Sequence, residues 1–359
     1  MPYLDNNSSS SAAPEVLDAM AAVNGAADQT IEEARISIAE LLGSTADEIF
    51  ISTSGTASIE TAFSIALNAR PKCRHVITSS VEHDSVLQIC RNLASSGYRV
   101  TLLDVDECGR LDPSQLNRAL SVETALVSIM EANHETGIIF PIKEIAATVR
   151  RHSTALLHSD GAVAAGNMPI DLKNSDVDLY SISGKKFHGP DRIGALYIRQ
   201  AANICRDSME ENLDYTFTRS IAGLGAAARL ATDDPAIDKM RRLRDRLEDS
   251  ILALLPDAYI NGTDDRSDRL ANTSSISFEN ANGEMIAERL AALGTIVSTA
   301  SACGQAGQPR PGVLQALNIP YTRAAGSIRF SLGRFNTDDD IEEAIDSVRK
   351  AVAHARSFS

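Results

Sequence analysis

Four groups of reactive side chains follow apolar runs of strand length: Glu82-His83 after HVITSSV, Glu131-Ala-Asn-His-Glu135 after ALVSIM, Asp160 after TALLHS, and Lys185-Lys186 after DLYSISG. Open α/β sheets hold ligands outside the carboxyl ends of their strands, so these are the positions where chemistry is expected. A carboxylate closing one buried strand, with a lysine after the next, suits a pyridoxal phosphate enzyme. The amine would carry the aldehyde cofactor as a Schiff base, and the carboxylate would keep the pyridine nitrogen protonated so that the ring accepts electrons. The plainer reading of Asp160 is a turn cap at a strand end. Ser52-Thr-Ser-Gly-Thr-Ala57, ahead of a helical pattern, could bind a phosphate on free N–H groups and hydroxyls, or simply cap that helix.

The elements that must position these groups follow from hydrophobic pattern. Residues 75–80, 100–105, 125–130, 154–158, 178–182 and 194–198 read as strands buried on both faces, and residues 57–68, 85–94 and 142–152 as amphipathic helices between them. Such alternation predicts an α/β fold with a mostly parallel sheet flanked by helices. After Arg199 the texture changes to a charged helix at 237–255, strands at 274–278, 295–298 and 327–330, and helices at 284–293 and 338–354. The expected organisation is a large domain at 12–232 and a smaller α+β domain formed by 1–11 and 233–359.

Composition narrows the function classes. The 359 residues are 43% hydrophobic and 23% charged, which excludes disordered, collagenous and disulfide-stapled chains. With 34 Lys+Arg against 48 Asp+Glu, the net charge of −14 argues against bulk nucleic-acid binding. Five scattered cysteines, at 73, 90, 108, 205 and 303, show no CxxC spacing and fit neither a disulfide framework nor a metal site. No apolar run is long enough to span a bilayer, and MPYLDNNSSS lacks the features of a signal peptide, so a cytoplasmic protein is expected.

Eight motifs in order then carry a resemblance: Tyr3-Leu-Asp-Asn-Asn7, Thr53-Ser-Gly55, Glu82-His83, Asn133-His-Glu-Thr-Gly137, His158-Ser-Asp160, Ser183-Gly-Lys-Lys186 with Gly189-Pro190, Ser301-Ala-Cys303, and Ser327-Ile-Arg-Phe-Ser-Leu-Gly-Arg334. Over nearly its whole length the chain resembles the cysteine desulfurases, fold type I pyridoxal phosphate enzymes of aminotransferase class V. The resemblance implies that Lys186 holds the cofactor, Asp160 pairs with its ring nitrogen and His83 stacks on the ring and exchanges protons. It implies that Gly55, Thr56 and Ser183 form the phosphate cup with Lys185 beside it, and that Asn133 contacts cofactor or substrate. Arg329 would bind the substrate carboxylate, and Cys303 would be the nucleophile, on a Gly/Pro-rich stretch suited to a mobile persulfide carrier. The activity so implied is conversion of L-cysteine to L-alanine with a persulfide on Cys303, passed to a sulfur-acceptor protein by a homodimeric enzyme. His134 and His188 receive no role.

The chain departs from the family's pattern in three places. Val163 stands where the family usually has a glutamine that donates to the cofactor's phenolic oxygen, and Lys185 stands where it commonly has a histidine. The glycine-rich motif that completes the phosphate site across a dimer is reduced around Arg219-Ser220, and the segment near Asn24 is trimmed. These departures keep two other readings open: a different class V lyase or aminotransferase of a biosynthetic pathway, and a degenerate sulfur-transfer scaffold.

Overall fold

The computed structural model describes residues 1–23, 27–202, 217–232, 235–299 and 312–358. Strands β1 (Ile49–Ser52), β2 (His75–Ser79), β3 (Arg99–Leu103), β4 (Thr124–Ser128), β5 (Leu156–Asp160), β6 (Leu179–Ser183) and β7 (Gly194–Ile198) form one seven-stranded sheet in the order β1-β7-β6-β5-β4-β2-β3. Only β7 runs against its neighbours. The carboxyl ends of the other six therefore open on one side of the sheet. Helices α1 (Pro14–Ala21), α2 (Ala27–Leu42), α3 (Gly55–Ala69), α4 (Asp84–Ser95), α5 (Pro113–Ala119), α6 (Ile142–His152) and α7 (Thr218–Thr232) accompany it. The two faces of the sheet feed separate apolar clusters, one built with α3 and α4 around Phe63, Val86 and Leu126, the other with α2, α6 and α7 around Ile38, Val149 and Leu224.

The chain continues with α8 (Ala236–Leu254), β8 (Ala258–Ile260), β9 (Thr273–Phe278), α9 (Gly283–Ala292), β10 (Ser298–Thr299), α10 (Val313–Ala316), α11 (Tyr321–Ala324), β11 (Ser327–Ser331) and α12 (Asp338–Arg356). Its four strands make a second, antiparallel sheet in the order β10-β11-β9-β8. Phe278, Phe330 and Val348 bury there with Leu4. The N-terminal segment joins this sheet through its backbone, the Leu4 N–H donating to the Ile296 carbonyl at 2.8 Å and the Leu4 carbonyl accepting from Ser331 N–H at 2.7 Å.

A buried charge cluster ties the second part to the first. Arg269 donates both terminal nitrogens to Glu248 on α8 at 2.6 and 2.9 Å, both side chains being shut off from solvent. Arg244 donates to the Leu270 carbonyl at 2.6 Å, and Leu270 N–H donates in turn to the Gly137 carbonyl at 2.8 Å. Buried ion pairs stabilise little over apolar packing, but breaking one leaves an uncompensated charge, so the arrangement fixes geometry. The loop it fixes carries Asn133 and His134.

The mostly parallel α/β architecture expected from the sequence is the one observed. Several local expectations change, and the strand expected at 295–298 is confined to β10 at Ser298–Thr299. β3 lies at the sheet edge with Leu102 half exposed, not buried on both faces, because no described strand pairs beyond it. β5 starts two residues later than the pattern suggests, since Ser153 caps α6 and its hydroxyl accepts from Ala155 N–H at 3.0 Å. β1, four residues long, rests on the short apolar run Ile49-Phe50-Ile51 and is not among the expected strands.

Gly161 follows β5 where a Cβ would stand 2.1 Å from the ring of fully buried Tyr180. Gly161→Ala is expected to lower stability by about 1–3 kcal/mol, the range for forcing atoms into a packed core. Urea unfolding measures this, and an unchanged midpoint would show that the ring yields freely.

Candidate active site

The strand ends converge on a cavity of about 600 Å³. β1 hands over to α3, whose N-terminus Ser54 caps by accepting from Ala57 N–H at 3.0 Å, leaving the first-turn amides of Gly55 and Thr56 without intrahelical partners. A Cβ on Gly55 would stand 2.7 Å from the Ser183 Cβ, so only glycine lets this N-terminus close on the end of β6. The helix end, with the hydroxyls of Thr56 and Ser183 and the amine of Lys185 on the same cavity wall, is suited to a phosphate.

The same cavity is lined by the groups that could act on an aromatic cofactor. Asp160, the last residue of β5, is buried on the wall and accepts from Ala162 N–H at 2.9 Å. Burial raises its carboxyl above the usual range, while Ala162 N–H, His83 and Lys186 pull it back. Lys186 ends the short turn after β6 and donates to the carbonyls of Asn7 at 2.5 Å and Ser8 at 2.9 Å. Burial and the neighbouring cations Lys185 and Arg329 push its amine down to about 8, against the attraction of Asp160 and Asp5. That brings a free amine within reach near neutral pH. His83 caps α4, its Nδ1 accepting from Ser85 N–H at 3.2 Å, and burial lowers its ring below the ordinary histidine value despite Asp160.

The cavity fits pyridoxal phosphate on these observations: an open helix N-terminus for the phosphate, a carboxylate, a depressed lysine and a histidine ring on one wall, with Ile59, Met130, Ala132 and Val163 as apolar lining. Arg329 on β11 reaches the same cavity, donating to Asp5 at 2.7 Å, Ser8 Oγ at 2.6 Å and the His134 carbonyl at 3.1 Å.

The structure thus gathers Gly55, Thr56, His83, Asp160, Ser183, Lys185, Lys186 and Arg329. It does not place Asn133 on the wall. That amide is buried in its own loop, donating to the Val81 carbonyl at 3.1 Å and accepting from the N–H groups of Glu135 and Thr136, each at 2.9 Å. Cys303 lies outside the described residues. Arg219 is exposed in the first turn of α7 and is not among the cavity's lining residues. Sequence reasoning gave no role to Asn7 and Ser8, whose contribution to Lys186 is backbone carbonyl and so independent of residue type. His134, also without a role, lines the cavity.

An open α/β sheet with a lysine and an aspartate at its mouth and a second, smaller sheet closing over them is the architecture of the fold type I pyridoxal phosphate enzymes. The family model described as aminotransferase class-V matches residues 2–205 and 216–344. The cysteine desulfurase of Trichormus azollae is 38% identical over 99% of this chain and 94% of its own length. A solved NifS-like protein superposes with a TM-score of 0.88 at 28% identity, covering 98% of this chain and 99% of that one. A structure described as SspA in complex with cysteine has a TM-score of 0.78 at 26% identity, over 94% and 100% of the two chains. The chain belongs to the aminotransferase class V family, among the cysteine desulfurases.

Beside the cavity, Glu82 is buried with Oε1 accepting from Ser79 Oγ at 2.7 Å and Met130 N–H at 3.0 Å. Burial first, and the charge of Asp160, push its carboxyl up to about 8 against those hydrogen bonds. An unfolded glutamate titrates near pH ~4.3, so between that value and about 8 the folded chain keeps a proton the unfolded chain has lost. Stability from this group falls as pH rises through that window. Glu82→Gln cannot titrate, so its melting temperature relative to the parent is expected to be higher at pH 8 than at pH 5. An equal difference at both pH values would mean that Glu82 is ionised in the fold.

Proposed function

We propose that this chain is a pyridoxal phosphate-dependent cysteine desulfurase that converts L-cysteine to L-alanine and carries the sulfur away as a persulfide on Cys303. The observation that carries this reading is the shared wall of one cavity: the depressed amine of Lys186, the buried carboxylate of Asp160, the ring of His83 and the open N-terminus of α3. The share of sequence held in common with cysteine desulfurases supports the choice of reaction within the class.

When bound, the cofactor would supply a carbonyl that captures the substrate amine and a ring that holds the electron pairs released at the substrate's α- and β-carbons. Asp160 would sit against the ring nitrogen, where burial makes its charge count most. Thr56, Ser183, Lys185 and the amides of Gly55 and Thr56 would hold the phosphate. The amine of Lys186, brought toward the working pH by burial, and the ring of His83, which burial keeps in its neutral form, would take up and return protons at the substrate carbons. Arg329 would bind the substrate carboxylate through two parallel hydrogen bonds once it leaves Asp5. The thiolate of Cys303 would attack the substrate sulfur, the carbon–sulfur bond would break, and a proton would enter at the β-carbon to give alanine. Asn133 would support the site through its loop.

The same reading includes residues 12–232 as the cofactor domain with 1–11 and 233–359 as the smaller one, a homodimer, a cytoplasmic setting and a sulfur-acceptor protein as partner. The free thiols of Cys73, Cys90 and Cys108 are at home in a reducing compartment. No described helix is long and apolar enough to cross a membrane.

With cofactor and L-cysteine, the purified protein is expected to form alanine and sulfide when a reductant is present. Cys303→Ala is expected to abolish alanine formation while keeping the cofactor absorbance, and Lys186→Ala to lose the borohydride-fixed label. Unchanged turnover in Cys303→Ala would favour another class V reaction, and failure to take up cofactor would leave a scaffold.

A further inference from the structure

The topology brings to the cavity a charged residue that follows no strand. β7 runs against both of its neighbours, so its amino-terminal end, and not its carboxyl end, opens where the other strands end. Its first residue, Gly194, pairs with Ser52 on β1 and with Ser183 on β6. A Cβ there would stand 2.8 Å from the Ser54 carbonyl carbon and 2.9 Å from the Gly55 nitrogen. The chain just ahead of Gly194 therefore enters the sheet beside the N-terminus of α3 and the end of β6, and Asp191, Arg192 and Ile193 all line the cavity.

Arg192 is exposed, and none of the described residues hydrogen-bonds or ion-pairs with its side chain. Arg329, on the same cavity, is by contrast held by Asp5, Ser8 and the His134 carbonyl. The backbone of Arg192 has φ +56°, the left-handed region that glycine enters freely and a long side chain only at a cost. The turn itself gives no reason for an arginine. The charge of the cavity does. A phosphate monoester carries about 1.5 to 2 negative charges near pH 7. The groups assigned to it above are neutral amides and hydroxyls and a single cation, Lys185, while Asp191 brings a carboxylate to the same cavity. Without Arg192 those two charges cancel. With it the balance is positive, and a guanidinium can offer two N–H groups to two phosphate oxygens.

We propose that Arg192 is a cofactor-binding residue of this chain, whose guanidinium donates to the phosphate of pyridoxal phosphate from the turn before β7 and supplies the second positive charge that the phosphate needs. The proposal rests on the reading of the cavity as a pyridoxal phosphate site. It assigns a binding role to an arginine whose backbone would relax as glycine, and it makes the antiparallel strand a source of site residues alongside the parallel ones.

The test is binding of pyridoxal phosphate to the cofactor-free full chain, read from the aldehyde's absorbance, with pyridoxal as the probe that lacks the phosphate. Arg192→Ala is expected to weaken pyridoxal phosphate about five- to twentyfold, the loss of charge-assisted hydrogen bonds at an exposed site, while pyridoxal changes less than about twofold. Arg192→Lys, which keeps the charge, is expected to recover part of the loss. Rising salt is expected to weaken pyridoxal phosphate more steeply in the parent than in Arg192→Ala. Arg192→Gly is expected to bind the cofactor as weakly as Arg192→Ala, yet to unfold in urea at or above the parent's midpoint, since glycine relieves the positive φ. Equal weakening of both aldehydes, unchanged binding of pyridoxal phosphate, equal salt slopes, or a glycine variant that loses stability along with affinity would each overturn the proposal. A parent chain that takes up neither aldehyde would instead end the pyridoxal phosphate reading, a result distinct from a parent that binds the cofactor and is indifferent to Arg192.

Discussion

A buried amine and a buried carboxylate share one cavity at the mouth of a parallel sheet, and most of the structure serves to keep them there. Taking either ion out of water is unfavourable, and each answers by shifting its proton affinity toward neutrality. Lys186 tolerates burial because two carbonyls of the N-terminal segment, together with Asp160 and Asp5, offset its lost hydration. Asp160 tolerates it through the Ala162 N–H and the nearby His83 and Lys186. Neither residue could hold this state on a free-standing turn; each needs the rigid end of a strand buried on both faces.

That dependence explains why the N-terminal segment belongs to the active site. It runs along the second sheet through Leu4 and Asn6 and then crosses the mouth of the first, where Asn7 and Ser8 hold Lys186 and Ser10 accepts from His188 N–H at 2.7 Å. Asn7 also donates to Thr273 on β9 at 2.9 Å, and Arg329 on β11 binds Asp5 and Ser8. The two sheets therefore meet through a polar seam at the cavity and through the Leu270–Gly137 backbone contact at the loop of His134, which Glu248–Arg269 and Arg244–Leu270 support from behind. A change in either seam moves catalytic groups without touching them.

The residue at 163 illustrates how the shell of the site differs while its centre persists. Val163 packs with Ala132, Ala164 and Leu270, a small apolar cluster where a polar donor would be out of place. His134, on the opposite motif, brings a second imidazole into the cavity beside His83. The polar groups of the wall have thus been redistributed, with the strand-end pair of Asp160 and Lys186 left in position.

The sequence by itself determined the alternation of strand and helix, the order of the motifs and the residue types at the strand ends, because buried parallel strands must be apolar runs and reactive groups must follow them. Asp160, Lys186, His83 and Gly55 were legible for that reason. Tertiary structure alone decided the rest. The carbonyls of Asn7 and Ser8 grip Lys186 through backbone that any residue would supply, so no side chain announces them. Asn133 reads as a ligand by type, yet its amide is taken up by neighbours only folding brings near. Edge or centre cannot be read from the apolar run of β3, since burial there depends on what pairs beyond it. The raised proton affinity of Glu82 likewise arises from dielectric and distance, which exist only once distant strands have come together.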